Sequence, residues 1–254
     1  MLAAILPVFS TGQSASNQAD SARLAAVLKK AGEYCQRLER AALDFVCLEE
    51  VTELSVRFTP VSSVHLYDYQ FIRKNQETKE KRDLVAVDGK KVNVRDSALQ
   101  TVMFSYENVL FGPVGLLSPF WQAHHDYRIV GEEGTGRERA VIIEAKPGAD
   151  PRERHPYGRL WVREDDGGVL KIVWDQESLG NFRYVEEWAK SHDVEPRVTA
   201  FCEYGVEKNG LRFPSRNYSE QAYVDKDGRK IVGALITVSY KDYKFFTVET
   251  EVKY

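Results

Sequence analysis

From Asp20 to Ala42 the apolar residues recur at three- and four-residue spacing, with Leu24, Val27, Leu28, Ala31, Cys35, Leu38 and Ala42 on one stripe. Arg23, Lys29, Lys30, Glu33, Arg37 and Arg40 take the opposite face. The pattern predicts an amphipathic helix capped by Asp20 or Ser21, its stripe wide enough to lie across a sheet. At Phe45 the period changes to two. Val46, Leu48, Glu50, Thr52, Leu54, Val56 and Phe58 alternate with Cys47, Glu49, Val51 and Glu53, so a strand should follow the helix directly. Strand-like runs recur at His65 to Arg73, Leu84 to Val87, Lys90 to Val94, Tyr127 to Glu132, Arg139 to Ala145, Thr199 to Val206, Leu211 to Tyr223 and Lys230 to Tyr254. Asp88-Gly89, Gly134-Thr135-Gly136 and Asn209-Gly210 punctuate them as hairpin turns. Pro147 to Pro156 reads as a charged loop, and Ser178 to Lys190 has helix-like spacing.

The clearest hairpin is Tyr157 to Trp174, YGRLWVREDDGGVLKIVW. Asp166-Gly167 fits a two-residue turn, because Asp tolerates positive φ and Gly adopts it freely. Strict alternation through that turn puts Trp161, Arg163, Leu170, Ile172 and Trp174 on one face and Leu160, Val162, Lys171 and Val173 on the other. Both faces carry apolar groups. Such a pair must be covered twice or must face a cavity on one side.

Between Ala98 and His125 the alternation stops. Phe104, Leu110, Phe111, Leu116, Leu117, Phe120 and Trp121 are spread over a stretch broken by Gly112-Pro113 and Ser118-Pro119, with Pro119 suited to the first position of a helix. Two short helical pieces across a Gly-Pro joint are predicted. They are either an ordinary crossover packed on the core or a movable lid over a cavity. In all, the pattern gives about ten strands in consecutive antiparallel order against two or three helices.

Composition narrows the picture. At 254 residues one well-cored domain is sufficient, and it is assigned to residues 17–254. A formal net charge of −3, with both signs dispersed, lacks the basic footprint of a nucleic-acid-binding protein. The apolar run Leu2 to Phe9, followed by small and polar residues, reads residues 1–16 as an export signal without its basic leader or as a disordered terminus. No other segment is long and apolar enough for a membrane helix, so no integral membrane protein is expected. Of the three cysteines, Cys35 and Cys47 are near enough in sequence to bridge in an oxidising compartment, or they are two buried thiols. Cys202 reads as a small core residue.

Candidate chemistry is sparse. His124-His125-Asp126 is the densest group of metal-capable side chains, but neighbours on a strand or helix do not converge. Asp165-Asp166 suit a turn, and Glu49-Glu50 point to opposite faces of a strand. There is no nucleophile elbow, phosphate loop, Cys-x-x-Cys or His-Glu-x-x-His. No catalytic set, metal or cofactor is expected.

The order of elements, together with Gly158-Arg-Leu-Trp-Val-Arg, Val169-Leu-Lys-Ile-Val-Trp and Tyr240-Lys-Asp-Tyr-Lys-Phe-Phe-Thr-Val, resembles the LolA-like superfamily over Leu24 to Tyr254. That resemblance implies a mainly β protein: a strongly curved antiparallel sheet forming an unclosed half-barrel, with an N-terminal helix and a helical plug or lid on the concave side. It implies a periplasmic, non-enzymatic carrier or sensor holding a lipid or lipoprotein acyl chains. Candidate lining residues are Phe104, Leu110, Phe111, Leu116, Leu117, Phe120, Trp121, Trp161, Ile172 and Trp174. The chain departs from the lipoprotein carrier in the Pro147 to Pro156 loop and the Ser178 to Lys190 insertion, and that carrier's functional Arg has no assignable counterpart. The alternative is an envelope scaffold protein of the same fold, with a filled core and a protein partner.

Overall fold

The computed structural model describes residues 12–41, 44–56, 61–74, 77–101, 104–134, 139–148, 156–180 and 182–246. The run Leu2 to Phe9, Thr135-Gly136, His155 and residues 247–254 lie outside them. Helix α1 spans Gly12–Arg40, so Asp20 and Ser21 are interior positions and not its cap. The helix extends beyond its apolar stripe, which is why the stripe alone placed its start too late.

Strand β1 (Asp44–Ser55) leaves the helix and lies in the middle of an eleven-stranded antiparallel sheet. On one side follow β2 (Val61–Lys74), β3 (Glu77–Val87) and β4 (Lys90–Val94). Three short turns of helix come next: a 3₁₀ turn at Val109–Phe111, α2 (Val114–Leu117) and α3 (Pro119–Gln122). The second half of the chain returns as β5 (His125–Glu133), β6 (Ala140–Pro147), β7 (Gly158–Arg163) and β8 (Val169–Trp174), then α4 (Phe182–Ser191). It ends with β9 (Glu195–Glu203), a small β10–β11 hairpin (Val206–Lys208, Leu211–Phe213), β12 (Arg216–Val224) and β13 (Lys230–Phe246). The strand order is β4-β3-β2-β1-β13-β12-β9-β8-β7-β6-β5, leaving β4 and β5 as open edges. The chain is therefore an open, mostly β half-barrel.

A wholly consecutive meander is not what forms. β13 pairs β1, with Val51 opposite Val238 and Glu49 opposite Tyr240. Two meanders are thus joined through the first and last strands, and local sequence cannot encode a pairing between residues so far apart. The turns at Asp88-Gly89 and Asn209-Gly210 do form as expected, all four residues at φ between 48° and 74°.

The Tyr157 to Trp174 hairpin forms, but with a different tip. Only Gly167 takes positive φ (75°), and the link runs from Glu164 to Gly168, closed by Gly167 N–H to Arg163 O (3.0 Å) and Arg163 N–H to Gly168 O (2.9 Å). The longer link shifts the register by one residue, and a one-residue shift exchanges faces. Leu160 therefore opposes Ile172, and Trp161 opposes Lys171. Leu160, Val162, Val169 and Ile172 point inward and are fully buried. Trp161, placed by alternation beside Ile172, is on the outer face.

The tip changes because it is docked. A Cβ on Gly167 would lie 2.3 Å from the carbonyl oxygen of Lys30 on α1, so only glycine permits this approach. Lys30 Nζ donates to Glu164 O (2.5 Å), and Arg23 grips the Glu164 carboxylate at 2.6 and 2.9 Å. Helix α1 crosses the concave face in this way, packing on α2, α3, β5, β7 and β11. Its Val27, Ala31, Tyr34, Cys35 and Leu38 are buried against the sheet. Val27 and Leu38 each contribute about 1.5–3 kcal/mol by this burial. Arg73 of β2 holds the far end of the helix, donating to Leu38 O at 3.0 Å.

Candidate functional site

The concave face has two kinds of cover. Under α1, α2 and the 3₁₀ turn lies one apolar cluster, with Phe45, Phe71, Leu160, Val162, Ile172 and Phe213 below and Leu38, Leu110, Leu116 and Leu117 above. Gly112 permits this approach, since a Cβ there would come within 2.5 Å of the Tyr204 hydroxyl. Tyr204 instead donates to Val109 O at 2.9 Å, and Tyr127 to Leu116 O. Over β9 and β12, α4 closes a smaller cluster of Val185, Ala189, Val198 and Tyr223.

The chain between β4 and the 3₁₀ turn covers the sheet differently. Among its described residues, the apolar Leu99, Phe104 and Tyr106 are only partly buried. Hydrogen bonds fix it: Asp96 N–H to Asp83 Oδ1 (2.7 Å), Ser97 N–H to Arg82 O (2.7 Å), Gln100 N–H to Tyr67 Oη (3.0 Å), Tyr106 Oη to Glu49 Oε1 (3.1 Å) and Asn108 N–H to Glu80 Oε1 (2.8 Å). Residues 96–101 and 104–108 thus form a polar strap across the face.

Beneath the strap β1 turns carboxylates inward. Glu49 and Glu53 are 0% and 1% exposed, on the face shared with Phe45, Cys47 and Val51. Arg82 pairs with both Glu49 oxygens, at 2.6 and 3.1 Å, and also contacts Glu80 at 3.5 Å. Burial pushes the Glu49 carboxyl above the ordinary carboxylate range, while Arg82 and the Tyr106 hydroxyl pull it back down. For Arg82 burial works downward, but the hydrogen bonds and charge of Glu49 outweigh it and leave the guanidinium held more firmly protonated than usual. A buried pair of this kind adds little net stability, yet removing one partner strands the other. His65, 8% exposed and beside Tyr67, continues the polar zone, and its Nδ1 has no hydrogen-bond partner.

Of the residues expected to line a cavity, Leu110, Leu116, Leu117 and Ile172 meet in one cluster, 0–3% exposed. Phe104, Phe111 and Trp174 pack at its margin. Phe120 is 64% exposed, its ring edge-on to Trp121 at 5.0 Å. Trp161 is on the opposite side of the sheet. Four recesses lined by described residues measure about 370, 350, 490 and 410 Å³, and none of these touches Leu110, Leu116, Leu117 or Ile172. At these four side chains the layer is packed against its cover.

Cys35, Cys47 and Cys202 are all buried free thiols, so the bridge offered as one of two readings does not form. Cys35 turns toward Pro113 O at 3.5 Å, whereas Cys47 neighbours Tyr243. Burial pushes the Cys202 thiol up to about 12. His124 and His125 direct Nδ1 at the α3 carbonyls of Phe120 (2.9 Å) and Trp121 (3.0 Å), closing that short helix; no metal-holding group exists among the described residues. Sequence reasoning missed Glu49, Arg82, Tyr106 and Tyr67 as a connected set. The available signal was the placing of Glu49 and Glu53 in register with Cys47 and Val51.

No family model matches the chain, and no curated protein matches it. Among solved structures it is similar to a LolA superfamily protein from Nitrosomonas europaea at 13% identity, covering 90% of this chain and 96% of that one, with a TM-score of 0.37. An outer membrane lipoprotein-sorting protein domain from Vibrio parahaemolyticus matches at 14% identity, covering 88% and 94%, TM-score 0.42. A DUF1329 family protein from Desulfovibrio piger matches at 10% identity, covering 90% and 95%, TM-score 0.40. No helix among the described residues is long and apolar enough to cross a membrane.

Proposed function

We propose that the protein is a periplasmic, non-enzymatic binding protein that holds a lipid, or the acyl chains of a lipoprotein, between the concave sheet face and its cover. The observation that carries this reading is the contrast on that face. An apolar layer, with Phe45, Phe71, Leu160 and Ile172 below and Leu110, Leu116 and Leu117 above, is bordered by a strap fixed through five polar contacts. Moving the strap and the adjoining turns costs a few hydrogen bonds that water replaces, and an acyl chain then re-covers the exposed apolar surface. Phe104, Leu110, Phe111, Leu116, Leu117, Phe120, Trp121, Ile172 and Trp174 are the proposed lining and margin of that space; Trp161 is withdrawn from it. In this packed arrangement the cover's own leucines occupy the place of the ligand.

A second reading is an envelope scaffold with a permanently filled core and a protein partner. The 0–3% exposure of Leu110, Leu116, Leu117 and Ile172 favours it. Organic extraction of the purified protein followed by mass spectrometry, with titration of a fluorescent fatty acid, separates the two. Bound lipid or saturable uptake supports the carrier; an empty extract together with no uptake supports the scaffold.

A further inference from the structure

Of the hairpin's two tryptophans, Trp174 packs against the inner cluster, whereas Trp161 is spent on the outer face. It lies there in a row that crosses four strands. Lys171 Nζ sits 5.4 Å from the Trp161 ring and 4.8 Å from that of Phe201. Phe201 stacks on Tyr218 at 4.9 Å with an interplanar angle of 18°, and Arg216 lies over both rings at 5.4 and 5.6 Å. Cross-strand contacts of this kind hold the rings in fixed orientation.

The Trp161 end of the row opens into a recess of about 410 Å³, lined by Trp161, Lys171, Glu203 and Arg212 among others. That volume is within the range of about 300–1,000 Å³ typical of small-molecule sites. Its polar groups are held in place by one another. Glu133 accepts from Trp161 Nε1 at 2.5 Å, and Lys171 lies 3.5 Å from Glu203. Arg212, with a side chain 7% exposed, donates to Tyr204 O (3.4 Å) and Glu207 (3.1 Å), while its Nε has no partner. Ser215 Oγ receives Gly205 N–H at 3.0 Å and donates to Glu203 O at 3.2 Å.

We propose that this recess, with the Trp161–Phe201–Tyr218 row beside it, binds a neutral oligosaccharide on the outer face of the sheet. Two carboxylates and two cations in one recess cancel, so neither an anion nor a cation is selected by charge. Sugar hydroxyls both donate and accept, so the several hydroxyls of one pyranose can between them donate to Glu133 and Glu203 and accept from Lys171. The apolar C–H face of a pyranose ring matches the flat, fixed indole of Trp161, while Phe201 and Tyr218, stacked on each other beneath Arg216, hold Lys171 and the row in place. The recess is reached from the outer face and shares only Tyr204 with the concave cluster.

The test is calorimetric titration of the full chain with cellotriose, maltotriose and tri-N-acetylchitotriose. At least one should bind saturably with Kd of roughly 1 mM or tighter. Trp161→Ala should weaken that binding by about tenfold or more and Trp161→Phe by only about threefold, with fatty-acid uptake unchanged in both. Lys171→Gln should weaken it by about threefold and serves if Trp161→Ala does not fold. No binding by any of the three sugars, undiminished binding in Trp161→Ala, or tighter binding of trigalacturonate than of the neutral sugars would overturn the proposal.

Discussion

Helix α1 and the strap cover the same concave face by opposite means. The helix is held by burial: Ala31, Cys35 and Leu38 are completely inaccessible, and Tyr34 is 1% exposed, its hydroxyl receiving the Arg212 N–H at 3.1 Å. The strap leaves Leu99, Phe104 and Tyr106 only partly buried and depends on polar contacts to β2, β3 and Glu49. A cover fixed by apolar area leaves only when the domain unfolds. One fixed by individually weak hydrogen bonds opens at a lower free energy. On the proposed carrier reading, the route to the apolar layer is therefore through the strap and not under the helix.

The largest effect should come from the ion pair to which the strap is tied. Arg82→Ala leaves Glu49 buried and uncompensated, and should cost about 3–5 kcal/mol in urea-induced unfolding. If the loss is below about 1 kcal/mol, the pair is not the anchor described. Leu116→Ala should cost about 2–5 kcal/mol, because a 1% exposed leucine leaves a cavity in the layer shared with α1. A near-neutral result there would make α2 part of the easily moved cover and shift the boundary between the two regions.

Tyr106→Phe removes a single strap contact and should cost only about 1 kcal/mol, while measurably quickening hydrogen exchange at Gln100 and Asn108. Unchanged exchange at both amides would show that the strap is held by something else. The smallest effect concerns the helix side. Hydrogen bonds from Arg23 hold the Glu164 and Glu132 carboxyls below the ordinary range. With folded-state values depressed, their contribution is present above the unfolded value and lost as pH falls through the folded one. Acid titration should therefore loosen the hairpin tip from α1 below the usual carboxylate range, and Arg23→Met should abolish that pH dependence in the NMR shifts of Lys30 and Gly167.

The two regions also differ in how far the sequence revealed them. The α1 stripe was legible because burial along a helix repeats at 3.6 residues, and Leu24 to Leu38 follow it. Asp88-Gly89 and Asn209-Gly210 were legible because both residues of each pair take the positive φ that their types allow. Asp166-Gly167 has the same local chemistry, yet its glycine serves contact with Lys30, more than a hundred positions away in the chain. That single displacement moved Trp161 to the outer face. The strap was illegible for a related reason: hydrogen bonds from Gln100 to Tyr67 and from Tyr106 to Glu49 leave no periodic trace. The apolar run after Phe104 drew attention instead, although its leucines prove to be the more deeply packed part.

Native-state hydrogen exchange, with and without a saturating fatty acid, tests the difference between the two covers most directly. The account predicts that amides of residues 96–101 and 104–108 exchange through an opening well below the global unfolding free energy, that those of Val27 to Leu38 exchange only on global unfolding, and that fatty acid alters the first set alone. Strap and helix exchanging together, at the global value and unaffected by fatty acid, would contradict it.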